Sequence, residues 1–303
     1  MVKNQHYVPK FYLRKFLNTG KKFWVFHKDS GRSFASNPQS IANENFFYDL
    51  PEVDELVGEQ AVENYLAEVD GVHAPFFDLL LNGIDNGDIR KIDEGMREIL
   101  CGFMTIQLLR TKEYRVGMTQ GVGSFNAKLI ESGWLNQEQA RQLRATDNAQ
   151  AIKKSHVEQL LFDTDFKGNL MDILECHIWL LFKNTSGLPY YTSDHPVVKV
   201  PHVTEAFRSN TGYKSKGIEI AVPLSSTHLL VLLERTQFKH YEKYENEVLV
   251  HSDPQNVIYY NALQVSGAYR AVICRDERFD LAREMFTTHP ELRQLDFPRY
   301  GVD

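Results

Sequence analysis

The sequence predicts an α+β fold: a mainly helical N-terminal half with a small β-hairpin, followed by an antiparallel-rich sheet with flanking helices. Three observations predict it. Between residues 54 and 132 apolar side chains recur at the spacing of amphipathic helices. From residue 177 they gather into short runs separated by Gly, Pro, Ser and Asn, the pattern of strands and turns. No segment recurs at the period of a solenoid or propeller.

Along the chain, Val8 to Leu17 reads as a short helix, with Pro9 near its first turn where a missing N–H does no harm. Lys22 to His27 is a strand, 28–32 a turn and Ser33 to Ala35 the returning arm of a hairpin. Residues 54–82 form one long helix in this reading, with Val62, Tyr65, Leu66, Val69, Val72, Phe76, Phe77 and Leu80 on its stripe. A second runs from about Ile89 to Tyr114, extendable toward Ser132, and Gly133 breaks it. Residues 136–145, 149–162 and 166–176 complete the helical run. The strands expected next are 177–182, 197–200, 218–224, 228–233 and 269–273, with helices at 254–265 and 277–287. Residues 163–170 are the one plausible boundary and are not linker-like, so a single interlocked domain over 1–303 stands beside a division into 1–165 and 166–303.

The 303 residues are 43% hydrophobic and 24% charged, the make-up of a globular chain rather than a disordered one. No apolar run approaches a membrane helix, and the first residues carry no apolar signal core. Cys101, Cys176 and Cys274 are too few and too scattered for a zinc knuckle or a disulfide framework. These features fit a cytoplasmic protein. Charge is uneven: residues 1–50 carry net +5 and residues 51–100 net −10. Either the basic head lies on the acidic helix beside it, or it faces a polyanion such as RNA or DNA. The overall charge of −6 favours the first.

Four polar positions fall where core residues are expected. The stripe Ile92, Met96, Ile99, Phe103 and Ile106 continues into Gln107, Arg110 and Tyr114. A buried guanidinium needs a carboxylate or a bound anion, so Arg110 is either a structural ion pair or an anion clamp. Glu63 and Glu68, on opposite margins of the preceding helix, are its candidate partners. Asp194 lies in the turn-rich Pro189 to Pro196 segment, as a turn cap or as a metal ligand or proton acceptor. His6, just before the first helix, is a structural or a proton-exchanging imidazole.

The opening His6-Tyr7-Val8-Pro9-Lys10-Phe11-Tyr12-Leu13-Arg14-Lys15-Phe16 resembles the signature of an uncharacterised family, mainly bacterial and fungal, that opens with His-x-Val-Pro-x-x-Tyr-Leu-x-x-Phe. The resemblance covers most of the chain. Phe47-Tyr48, Glu63, Glu68, Gln107, Arg110, Arg115, Pro223-Leu224-Ser225 and Asn261 resemble further family positions. Thr192-Ser193-Asp194-His195-Pro196 is similar to a family Thr-Ser-Asp-Asn-Pro element, with His195 replacing Asn. The resemblance implies no activity.

Phosphate-cradling glycine loops, a zinc His-Glu-x-x-His helix and a Gly-x-Ser-x-Gly elbow do not occur. The functional expectation is a hydrolase of phosphodiester bonds, nuclease-like, with a toxin or phage-defence role. In it Arg110 holds the phosphate, Gln107 orients it, His6 is general acid or base, and Asp194 with Glu63 or Glu68 binds Mg²⁺ or Mn²⁺ or orients His6. Asp194 and Glu68 are the metal ligands of that reading and nucleic acid its partner. The alternatives are a non-enzymatic interaction protein with a buried polar network and a protein that binds a small anionic ligand. The nuclease reading requires His6, Arg110 and Asp194 to meet around one cavity.

Overall fold

The computed structural model describes residues 2–146, 148–203 and 211–295. Its elements, in chain order, are β1 (Asn4–His6), α1 (Lys10–Leu13), β2 (Phe23–His27), β3 (Ser33–Ser36), β4 (Asn43–Asn45), α2 (Pro51–Val57), α3 (Ala61–Asn86), α4 (Glu94–Arg110) and α5 (Lys112–Glu131). They continue with α6 (Gln137–Thr146), α7 (Ala149–Leu161), α8 (Thr164–Glu175), β5 (Ile178–Asn184), β6 (Thr192–Ser193), β7 (Val198–Pro201), β8 (Ile218–Pro223) and β9 (His228–Leu233). β10 (Val248–His251), α9 (Pro254–Gly267), β11 (Ala271–Cys274) and α10 (Asp280–Thr288) complete the described chain. The fold is α+β, with helices concentrated in the N-terminal half and antiparallel-rich sheets.

The sheets sort by apolar content. β8 and β9 are buried along their whole length, so they read as continuous apolar runs and lie central in the five-stranded sheet β10-β5-β9-β8-β7. All its pairs are antiparallel except β10 on β5. The expected hairpin β2–β3 exists, but it is half of the four-stranded sheet β3-β2-β11-β6, completed by two strands from the C-terminal half. A third, two-stranded pair sets His6 opposite Asn43. The largest apolar core likewise runs through both halves, from Tyr12 and Phe77 through Phe103 to Ile220 and Ile273.

Two expected long helices are each broken. The helix expected over 54–82 is α2 and α3, interrupted where Gln60 takes a left-handed φ of 56°. The helix expected from 89 starts at Glu94, capped by the Asp93 side chain, and stops at Arg110. Thr111 is extended there (ψ 157°), and its hydroxyl caps the next helix by accepting the Tyr114 N–H. A cap on the second break was missed because the apolar stripe continues through it. The last turns of α4 are buried on all sides, from Phe103 to Arg110, so periodicity had no solvent face to register there. The basic head does lie on the acidic helix: Lys15 pairs with Asp78 of α3. Among the described residues no helix is long and apolar enough to cross a membrane.

Candidate functional site

Arg110 is buried, and its guanidinium is bound on two sides. Nη1 donates to Asp70 Oδ1 at 2.8 Å and Nη2 to the His6 carbonyl at 2.9 Å. Burial is the largest influence and works against its charge, but Asp70 and the Tyr48 hydroxyl together outweigh it and raise its pKa. The partner is therefore Asp70, one helical stripe along α3, rather than Glu63 or Glu68. Glu63 is half-buried near Arg110, and burial raises its carboxyl pKa. Glu68 is exposed on the outer side of α3, because five residues along a helix rotate it away from Glu63.

The neighbours of Arg110 are equally committed. Gln107 Nε2 donates to the Tyr7 carbonyl at 3.2 Å. The Arg110 carbonyl accepts the Tyr48 hydroxyl at 2.5 Å. His6 Nε2 lies 3.1 Å from the Pro38 carbonyl, and burial lowers the imidazole pKa to about 4. A ring so desolvated is neutral near pH 7, and the residue expected as general acid or base is buried. One turn on, Arg115 donates through Nε to His156 Nδ1 at 2.9 Å and stacks on Phe47 at 3.7 Å. His156 Nε2 in turn donates to the Leu109 carbonyl at 2.6 Å. Burial lowers His156 to about 3.

Asp194 is buried in the approach to β11. Its carboxylate accepts the amides of Tyr269 (2.9 Å), Arg270 (2.8 Å) and Ala271 (3.1 Å). Burial pushes its pKa up against the pull of these amides. These three bonds pin the turn after β6 to the start of β11, and they are the contacts the structure gives the carboxylate expected as metal ligand or proton acceptor. Asn261 does the same work nearby, accepting the Tyr191 amide at 2.7 Å. The signature residue Tyr12 joins the two halves, donating to the Pro223 carbonyl at 2.6 Å and touching Thr192 Oγ1 at 2.7 Å. Among the described residues no group of three His, Cys, Asp or Glu side chains is placed to hold a metal ion.

Arg110 and Gln107 thus hold the backbone carbonyls of His6 and Tyr7 rather than the His6 imidazole, and Asp194 serves as a backbone clamp on Tyr269, Arg270 and Ala271. They close a lock rather than line a cavity. The open space lies on the other side of Thr111. Its Oγ1 is 3.0 Å from His195 Nδ1, which sets the imidazole at the mouth of a cleft of about 320 Å³. Glu113 from the first turn of α5, His195, Lys199 of β7, Tyr213 and Ser266 of α9 line it, with Val198 and Leu263 as apolar wall. β7 can lie this close to α9 because position 267 has no Cβ; one there would stand 2.5 Å from Val198 Cγ1. Lys199 Nζ sits 4.2 Å from the centre of the Tyr213 ring, and burial lowers its pKa to about 8.

The model of the DUF4238 family matches residues 4–278, nearly the whole described chain. The chain belongs to the DUF4238 family. That family is described as proteins of unknown function, and no curated protein and no solved structure matches the chain. Sequence reasoning about this DUF4238 chain missed Asp70, Glu113, His195 and Lys199 as site-forming residues. Two signals pointed to two of them. His195 is the one departure within the Ser-Asp-x-Pro element, and Lys199 is a lone charge inside the apolar strand Val197 to Val200.

Proposed function

We propose that the cleft between α5, β7 and α9 is the functional site and that it binds a small anionic ligand. Lys199 supplies the counter-charge, and Glu113 and His195 are the groups able to exchange a proton with what is bound. The observation that carries this reading is the convergence of a carboxylate, an imidazole and a half-buried ammonium on one cavity. The volume supports a small molecule, being at the low end for ligand pockets. Among the described residues, Lys15, Lys112 and Lys183 are paired with Asp78, Glu44 and Asp85, which favours a small ligand over a polynucleotide.

The test is calorimetric titration of the protein with inorganic phosphate and acetate, beside Lys199→Met and Arg110→Lys. Binding by wild type that Lys199→Met abolishes supports the reading. No binding of either anion by wild type ends it.

Phosphodiester hydrolysis is the second reading. It is favoured by the imidazole held beside an anion-binding ammonium, the pair that such chemistry uses. It would act from this cleft and not from Arg110. Labelled RNA and DNA incubated with Mg²⁺ or Mn²⁺ should then be cut by wild type and spared by His195→Gln; intact substrate in both removes it. The toxin or phage-defence role attaches to this second reading and to no residue of the chain.

A further inference from the structure

A second cavity, of about 280 Å³, lies between α4, α5 and α8. Its wall is Leu108, Leu109, Met118, Phe166 and Leu170, together with Tyr114. Lys199 and Tyr213 line both this cavity and the cleft described above. The ammonium over its tyrosine ring therefore stands between a cleft that sets Glu113 and His195 in a largely apolar wall and a chamber whose remaining side chains are apolar or aromatic.

We propose that the two cavities form one bipartite site, and that the ligand is an amphiphile: an alkyl or aryl group in the apolar chamber joined to an anionic head at Lys199. The proposal rests on the small-anion reading of the cleft and extends it to the whole ligand. Three observations support it. Either chamber alone is small for a ligand site, whereas the pair together reaches an ordinary size. Lys199, the one charged residue that lines both cavities, is placed to meet an anion carried at the end of an apolar body. The third is the glycine content of α5. Gly117 and Gly121, four residues apart and so on one helix face, both line the apolar chamber. Glycine is a poor helix former, and nothing local requires it at 121: the residue lies mid-helix, and an added Cβ would meet nothing within 4 Å. The space that the missing side chains leave is the chamber itself.

A nucleobase is disfavoured as the apolar part. The wall offers almost no hydrogen-bonding side chain, and the Tyr114 hydroxyl is already bound to Gln159 at 2.5 Å. The edges of a base would be buried unsatisfied.

The experiment plugs the apolar chamber from α5 without touching the charge. Wild type, Gly121→Ala, Gly121→Leu and Lys199→Met are titrated with octanoate, octyl phosphate, acetate, inorganic phosphate and uridine monophosphate, and their melting temperatures are recorded. Replacing glycine in mid-helix should leave the melting temperature at or above wild type. Octanoate should bind wild type at least tenfold more tightly than acetate. Gly121→Leu should lose that gain while binding inorganic phosphate as wild type does, with Gly121→Ala between them, and Lys199→Met should lose both head and amphiphile. Octanoate against octyl phosphate tells a carboxylate from a phosphate source. If acetate and phosphate bind but octanoate gains nothing, or if the plug leaves octanoate binding unchanged, the bipartite site is overturned and the cleft reading survives. Tighter binding of uridine monophosphate than octyl phosphate overturns the alkyl or aryl assignment. If no probe binds wild type, the cleft reading falls, and this inference with it.

Discussion

The Arg110 lock and the Lys199 cleft lie back to back across Thr111, and they treat charge in opposite ways. In the lock, Arg110 is enclosed, bound to Asp70 and to the His6 carbonyl, and its charge is reinforced. In the cleft, Lys199 is half-buried beside an open volume, and its charge is weakened toward a pKa of about 8. A satisfied buried ion pair holds structure, since removing one partner strands the other. A partly desolvated ammonium that lines a cavity is a group a bound ligand can reach. The contrast teaches that burial of a polar residue in a sequence pattern does not by itself mark a site; what marks one is whether the structure leaves room beside it.

Acid should separate the two regions most strongly. His6 and His156 are neutral in the fold, at about 4 and about 3, against about 6.5 when unfolded. The unfolded chain therefore binds more protons below pH 6.5, so the stability these rings lend is complete above that pH and drains away as pH falls toward 4 and then 3. The loss should be a few kcal/mol per ring at roughly 1.4 kcal/mol per pH unit. Urea midpoints between pH 7 and 4 measure it, and a flat profile would contradict the buried, neutral rings.

Next in size, Arg110→Ala should cost about 3–5 kcal/mol of folding free energy, whereas Lys199→Met should fall within about 1 kcal/mol of wild type. Denaturant titration of both decides it. Equal losses would erase the distinction between lock and cleft. Tyr48→Phe, which removes the donor on the Arg110 carbonyl, should cost about 1–2 kcal/mol by the same measurement.

Thr111 joins the regions. Thr111→Val should cost about 1 kcal/mol through the lost cap on α5 and also weaken phosphate binding, because His195 loses the hydroxyl that sets its ring; Thr111→Ser should restore both. The alkaline arm is comparable in size to the His6 effect and opposite in place. Because Lys199 is held at about 8 against about 10.4 unfolded, the unfolded chain binds the extra proton between those values and stability rises with pH across that window, by up to a few kcal/mol at roughly 1.4 kcal/mol per pH unit. The rise should vanish in Lys199→Met.

Much of the fold was legible. The helices at 149–162 and 166–176 and the strands at 218–224 and 228–233 appear close to their expected bounds, because each is a run of one period ended by a turn or a cap. β1, β4 and β10 were not legible. They are short, and β1 and β4 are largely polar, paired only because distant segments come alongside. The hairpin was visible, but not its continuation into β11 and β6, since long-range pairing leaves no local signal. Of the candidate residues, the burial of Gln107 and Arg110 was readable from the α4 stripe. The choice of Asp70 over Glu63 and Glu68 was not, because all three lie on α3 and only the packing of α4 against it selects one.

By itself the sequence determined where most of the longer helices and the apolar strands fall, and that a guanidinium would be buried and would need a partner, since periodicity and the desolvation of charge are local properties. The tertiary structure alone decided which carboxylate answers Arg110, that Asp194 is spent on three backbone amides, and that Glu113, His195 and Lys199 share a cleft. Those residues come from α5, the loop after β6, and β7, and only the packing of elements far apart in the chain brings their side chains to one volume.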